Sequence, residues 1–205
     1  MRRKLRIAAL IVCALGLAGG ASADSLPQGG GANNVVVAQT TADGSTLVRA
    51  ATQVTQVGGP TVTSANIANA TATSCTGCHS TAVAVQVVLV TSSPQYFAPG
   101  NAATAVNAGC SSCGTFAYAW QYVLQTSRPV ALSAAAQEQV LGLKQEIARA
   151  AASVVPDSVE VDAALRAELD GLTAELKAVV DADVQRADAR VVGTPLERVH
   201  SSFGS

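Results

Sequence analysis

Two stretches of this chain, NIANATATSCTGCHSTAVAVQVVLV at 66–90 and NAATAVNAGCSSCGTFAYAWQYVLQ at 101–125, repeat one another at a constant offset of 35 residues. The shared positions are Asn66/Asn101, Ala68/Ala103, Ala70/Ala105, Cys75/Cys110, Cys78/Cys113, Ala82/Ala117, Ala84/Ala119, Gln86/Gln121, Val88/Val123 and Leu89/Leu124. A fixed period of this length marks a repeat architecture, in which each unit buries a face against its neighbour. The repeat also sets how any motif inside it is read, because what recurs serves the architecture.

After each C-x-x-C the residues alternate strictly. Ser80, Ala82, Ala84, Gln86 and Val88 lie on one side, and Thr81, Val83, Val85, Val87 and Leu89 on the other. Period-two alternation rich in Val predicts a strand, and apolar residues on both sides predict a strand covered on both faces. The segment before each cysteine pair alternates too, so each unit reads as strand, cysteine turn, strand, and a hairpin or a β-arch fits equally. A degenerate first unit over about 33–57 precedes these, phased on Asn33, Val35, Val37 and Gln39 with a turn at Asp43-Gly44-Ser45. Three units meet the usual minimum for a self-supporting stack. Small Ala residues with repeated Asn66, Asn101, Gln86 and Gln121 suit closely approaching sheets whose stacked amides bond along a ladder. Nearly charge-free strands also lack the Lys and Glu that usually protect sheet edges, which raises self-association through those edges.

Residues 1–23 carry Arg2, Arg3, Lys4 and Arg6, an apolar run, and Ala21-Ser22-Ala23, the arrangement of a signal peptide. Export by the general route is expected, with the twin-arginine route as the alternative, so the product is secreted or associated with the cell surface. Removal of this segment leaves nine basic and 14 acidic residues, a net charge of −5 that argues against nucleic acid as a partner. No later apolar stretch is long enough to span a bilayer. Charge is uneven as well: 24–130 holds only Asp24, Asp43, Arg49 and Arg128, so a β-repeat region at 24–130 is expected to give way to an acidic helical hairpin at 131–192 and a flexible tail at 193–205.

Cys75-Thr76-Gly77-Cys78-His79 has the spacing of a c-type haem attachment site, with His79 as the iron ligand. The second copy keeps both cysteines but has Gly114 in place of the histidine, so the cysteines belong to the repeat. Two C-x-x-C pairs also have the makings of a four-thiolate zinc site. In an oxidising compartment, four cysteines at matched positions are more simply two disulfides. Local pairing (Cys75 with Cys78, Cys110 with Cys113) is favoured over pairing between copies, and no cofactor is expected.

Phe116, Tyr118, Trp120 and Tyr122 fall on one strand face, an interaction face if open and a docking surface for helices if covered. Helical seams follow: Val140, Leu143, Ile147, Ala150 and Val154, then Leu165, Leu169, Leu172, Leu176 and Val179. Asp157 and Glu160 are placed as a capping box for the second helix. The acids Glu138, Glu146, Glu168, Asp170, Glu175, Asp181 and Asp183 read as solvated helix faces. The doubled N-x-A-x-A, C-x-x-C, A-x-A-x-Q-x-V-L unit followed by acidic helices resembles secreted actinobacterial proteins, over roughly 33–185. Some of those carry a peptide zinc metalloprotease label, but the H-E-x-x-H arrangement such an enzyme needs is absent here.

The expected fold is therefore α+β: a small β sandwich or solenoid of about three hairpin repeats, then an antiparallel helical hairpin. The expected role is non-enzymatic: a structural, adhesive or interaction protein that associates with itself, through β edges or helices, or with other cell-surface proteins. The alternative is an extracytoplasmic haem- or zinc-binding redox protein using Cys75, Cys78, His79, Cys110 and Cys113.

Overall fold

The computed structural model describes residues 28–91 and 93–204; the expected signal peptide, with Cys13, lies outside these residues. Its elements are β1 (Gln28–Thr40), β2 (Thr46–Thr73), β3 (His79–Thr91), β4 (Tyr96–Ala108), β5 (Gly114–Thr126), α1 (Ala134–Ser153), α2 (Val159–Arg186) and β6 (Leu196–Gly204). The architecture is α+β, a six-stranded mixed sheet with a helical hairpin.

The sheet is folded into two layers because β2, 28 residues long, runs through both. Its first half pairs in parallel with β3, and β3 pairs in parallel with β5. Its second half pairs in parallel with β1 on one side and β4 on the other. Each short turn therefore carries the chain across to the facing layer rather than back onto its neighbour. The units are β-arches stacked in parallel, not hairpins, because parallel stacking sets like residues side by side: Asn66 on Asn101, Ala84 on Ala119, Gln86 on Gln121.

The space between the layers is filled by Val36, Ala38, Ala68, Ala70, Ala82, Ala84, Ala117 and Ala119. Methyl-sized side chains bring the layers close enough for an amide on one to reach the backbone of the other. Asn66 Nδ2 thus donates to Ala84 O and Trp120 O, both at 3.0 Å, and Gln86 Nε2 to Ala32 O at 3.1 Å. Along the stack, Asn34 donates to Asn66 and Asn66 to Asn101 at 2.9 and 2.7 Å. A parallel ladder runs Gln121 to Gln86 to Gln53 at 2.8 and 2.9 Å.

These contacts correct the phase expected for the first unit. Val35 and Val37 are 57% and 52% exposed, while Ala32, Asn34, Val36 and Ala38 face inward. The first unit is offset from the second by 32 to 33 residues rather than 35, as in Asn34↔Asn66 and Gln53↔Gln86. A one-residue slip exchanges the two faces of a strand, and the run Asn33-Asn34-Val35-Val36-Val37 reads equally well in either phase. In β2, Val54 packs toward the helices and Val57 toward the interior, which is why the two do not share a period.

The outer face of β3 and β5 packs beneath the helices. Val83, Val85, Val87, Leu89, Phe116, Tyr118, Trp120, Tyr122 and Leu124 form one core with Val140, Leu143, Ile147, Leu165, Leu169, Leu176 and Val180. The aromatic row is thus a docking surface for the helices rather than an open interaction face, each ring being at most 2% exposed. Tyr118 donates to Asp170 at 2.8 Å and Tyr122 to Asp181 at 2.7 Å, so these two acids tie α2 to the strand. Asp183 is buried and accepts from Ser133 N and Oγ, both at 2.8 Å, joining the end of α2 to the start of α1. The cap of α2 is Ser158, whose side chain accepts from Val161 N, in place of the Asp157–Glu160 box.

Residues 196–204, expected as tail, form β6, which pairs antiparallel with β5 and covers its edge. Leu196, Val199 and Phe203 do not alternate, so the strand carries no periodic signal. Its backbone ends the asparagine ladder: Asn101 Nδ2 donates to Arg198 O at 3.0 Å. No helix of the described residues is long and apolar enough to cross a membrane.

Candidate functional site

The cysteine turns stack as the strands do. Ser74 N donates to Ala108 O, Gly77 N to Ser111 O, Ser111 N to Cys75 O and Gly114 N to Cys78 O, so arch 74–78 lies directly on arch 109–113. Both arches share one backbone conformation: Ser74 and Gly109 are left-handed (φ 53° and 61°), as are Gly77 and Ser112 (φ 64° and 55°). Each arch needs two left-handed residues and takes one glycine and one serine, although glycine adopts this conformation at less cost.

That geometry gathers four sulfurs. Cys75 and Cys78 are joined in a disulfide, whereas Cys110 and Cys113 are free thiols. Two local disulfides were expected; one is present. Cys75 Sγ lies 3.6 Å from Cys110 Sγ, and the sulfurs of Cys75, Cys110 and Cys113 all lie within 4.8 Å of one another. Burial differs between the arches: Cys75 is 5% and Cys78 0% exposed, but Cys110 and Cys113 are half-buried. Burial, then the neighbouring Cys110 thiol, pushes the Cys113 thiol above its ordinary value.

A cavity of about 470 Å³ opens beside the free thiols, lined by His79, Asn107, Cys110, Ser112, Cys113 and Asp157 among others. His79 Nδ1 lies 3.2 Å from Pro156 O in the loop between the helices. A carbonyl only accepts, so in this contact the ring Nδ1–H donates. The same carbonyl explains why the second copy has glycine: a Cβ on Gly114 would sit 1.5 Å from Pro156 O. The histidine is thus missing from the second copy for a steric reason that the sequence does not display.

Of the residues singled out from sequence, Asn66, Asn101, Gln86 and Gln121 form the two ladders between the layers. Sequence reasoning missed Asn34 and Gln53, the first rung of each. An offset of 32 to 33 residues, tried beside 35, would have found both. His200 lies on β6, paired with Ala119. Comparison of the chain with protein-family models, with curated proteins and with solved structures finds no match.

Proposed function

We propose that this is an exported structural or interaction protein, a stack of three β-arches that presents a flat, uncharged face. One observation carries the reading. Residues 28–40, 61–73 and 96–108, the whole of one sheet layer, contain no Asp, Glu, Lys or Arg. Val35, Val37, Ile67 and Val106 stand exposed on it, and Val35 is in register with Ile67. Exposed apolar side chains set side by side, as Val35 and Ile67 are, support an interaction site, and strand edges without charges favour pairing with another chain. Signal-like residues 1–23 support placement of this surface outside the cytoplasm. Asparagine and glutamine ladders suit such a role, since they fix the layers without a large core.

The test is sedimentation of the exported protein beside the Val35→Lys/Ile67→Lys variant. Concentration-dependent association of the first and its loss in the second, at unchanged thermal stability, is the expected result. Wild-type protein that sediments as a monomer at every concentration and binds cell envelopes no better than the variant refutes the reading. The clustered sulfurs of Cys75, Cys110 and Cys113, with Cys78 beside Cys75, favour a second one, in which the fully reduced arches hold a thiophilic, tetrahedral ion such as Zn²⁺. Four thiolates on two turns are a suitable donor set for it.

A further inference from the structure

The sulfur cluster is asymmetric in a way that a pair of inert staples does not need. One arch holds a buried disulfide and its stacked copy holds two thiols beside a cavity, with 3.6 Å between Cys75 Sγ and Cys110 Sγ. Thiol–disulfide exchange proceeds when a thiolate attacks a disulfide sulfur, and access decides which sulfur is attacked. A reagent in solution meets Cys110 and Cys113, whereas Cys78 is fully buried.

We propose that the two arches form a disulfide relay, passing one disulfide between the buried pair Cys75/Cys78 and the cavity-facing pair Cys110/Cys113, where a small thiol in solution reduces it. In the first step the Cys110 thiolate, its proton given to solvent, attacks Cys75 Sγ. The Cys75–Cys110 bond forms, the Cys75–Cys78 bond breaks, and Cys78 leaves as a thiolate that takes up a proton. In the second step the Cys113 thiolate attacks Cys110 Sγ, the Cys110–Cys113 bond forms, and Cys75 leaves and is protonated. One disulfide and two thiols stand on each side, so the transfer needs no oxidant. Two molecules of the external thiol then reduce Cys110–Cys113 and depart as their own disulfide.

The arches suit this traffic because both steps occur between neighbouring sulfurs on turns of one backbone shape, so the strands need not part. His79 and Asp157 line the same cavity, and Asn107 Oδ1 nearby has no hydrogen-bond donor. The inference goes beyond the interaction reading and does not depend on it. Sedimentation and disulfide mapping answer separately.

The experiment uses the exported protein with two free thiols, confirmed by thiol titration in denaturant. After incubation at about pH 8 it is alkylated with N-ethylmaleimide and digested with chymotrypsin, which cuts at Tyr96 and Phe97 between the pairs, for mass spectrometry. Peptides crosslinked through Cys75–Cys110, and alkylated Cys75/Cys78 with closed Cys110–Cys113, are expected beside the Cys75–Cys78 form. Cys113→Ser should accumulate the Cys75–Cys110 crosslink. Cys110→Ser should slow reduction of Cys75–Cys78 by dithiothreitol by about tenfold or more. The relay is overturned by Cys75–Cys78 as the sole linkage with equal reduction rates in wild type and Cys110→Ser. It is equally overturned by two closed disulfides, or by four thiols holding one zinc.

Discussion

Replacing Asn66 with alanine tests the ladder on which the two-layer stack rests. The side chain is fully buried, and its two N–H protons serve Ala84 O, Trp120 O and Asn101 Oδ1 while its Oδ1 accepts from Asn34. Two donated bonds and one accepted bond, at about 1 kcal/mol net each, give about 3 kcal/mol. The orphaned Asn101 oxygen, once its donor is gone, adds about 1 kcal/mol. A loss of about 4 kcal/mol corresponds to roughly 8–16 °C in Tm for a chain of this size. Asn33→Ala is the control, because Asn33 points outward and should cost less than about 0.5 kcal/mol. Urea denaturation followed by circular dichroism reads both. The double variant Asn66→Ala/Asn101→Ala should cost less than the sum of the single variants, since the two share a bond. A loss below about 1 kcal/mol for Asn66→Ala, or one equal to that of Asn33→Ala, refutes the inward phase of Asn34 and the energetic role of the ladder.

Two further substitutions probe the helical half and its seat on the sheet. Asp162 is 6% exposed, neither of its carboxylate oxygens has a hydrogen-bond partner, and burial followed by repulsion from Asp157 pushes its pKa up to about 6. The folded state thus holds this proton more tightly than the unfolded one, so stability falls as pH rises from about 4 to 6. Asp162→Asn should raise stability at about pH 8 by roughly 1–2 kcal/mol after allowance for solvent screening, and the gain should vanish near pH 4. An equal gain at both pH values refutes the argument. Gly114→Ala should lose more than about 3 kcal/mol through overlap with the Pro156 carbonyl. Gly142→Ala, in open space on α1, should gain about 0.5–1 kcal/mol, and equal effects in the same urea titration would show that Pro156 does not pack on the arch.

What the sequence made legible follows from which signals are local. Alternation with apolar residues on both sides placed β3 and β5 between two coverings, and the structure buries every residue of β3 from Ser80 onward. The 35-residue offset gave the register of Asn66 on Asn101 directly. Arch against hairpin could not be read, because the same alternation serves a strand whether its turn returns it to a neighbour or carries it across. Turn conformation decides, and Ser74 and Ser112 adopt left-handed backbone without the glycine that would signal it. β6 stayed hidden because an edge strand with one side toward solvent has little need of periodic apolar residues. The capping box failed by one residue: Asp157 and Ser158 are both good caps, and the geometry after Pro156 selects the serine. Of the site, the sequence showed which cysteines repeat, but the steric reason for Gly114 lies 42 residues away at Pro156.

The 35-residue period of the second and third units governs both the ladder rungs between them and the sulfurs, and side-chain chemistry makes their consequences differ. An amide is donor and acceptor at once, so an Asn stacked on an Asn satisfies both, and the result is a fixed structure. A thiol stacked on a disulfide sulfur has an alternative that an amide lacks, since the contact that packs the two is also the approach of a nucleophile to its target. Stacking Cys on Cys at the turns therefore sets a reactive column beside the inert ladders of Asn and Gln. Its position matters: at the turns the backbone is bonded arch to arch, so exchange can proceed while the strands remain paired. A purely structural staple would be as well served by the first arch alone, whose pair is already closed and buried. Retention of both cysteines in the second arch, beside a cavity and in contact with the first, is what the relay accounts for and the staple does not.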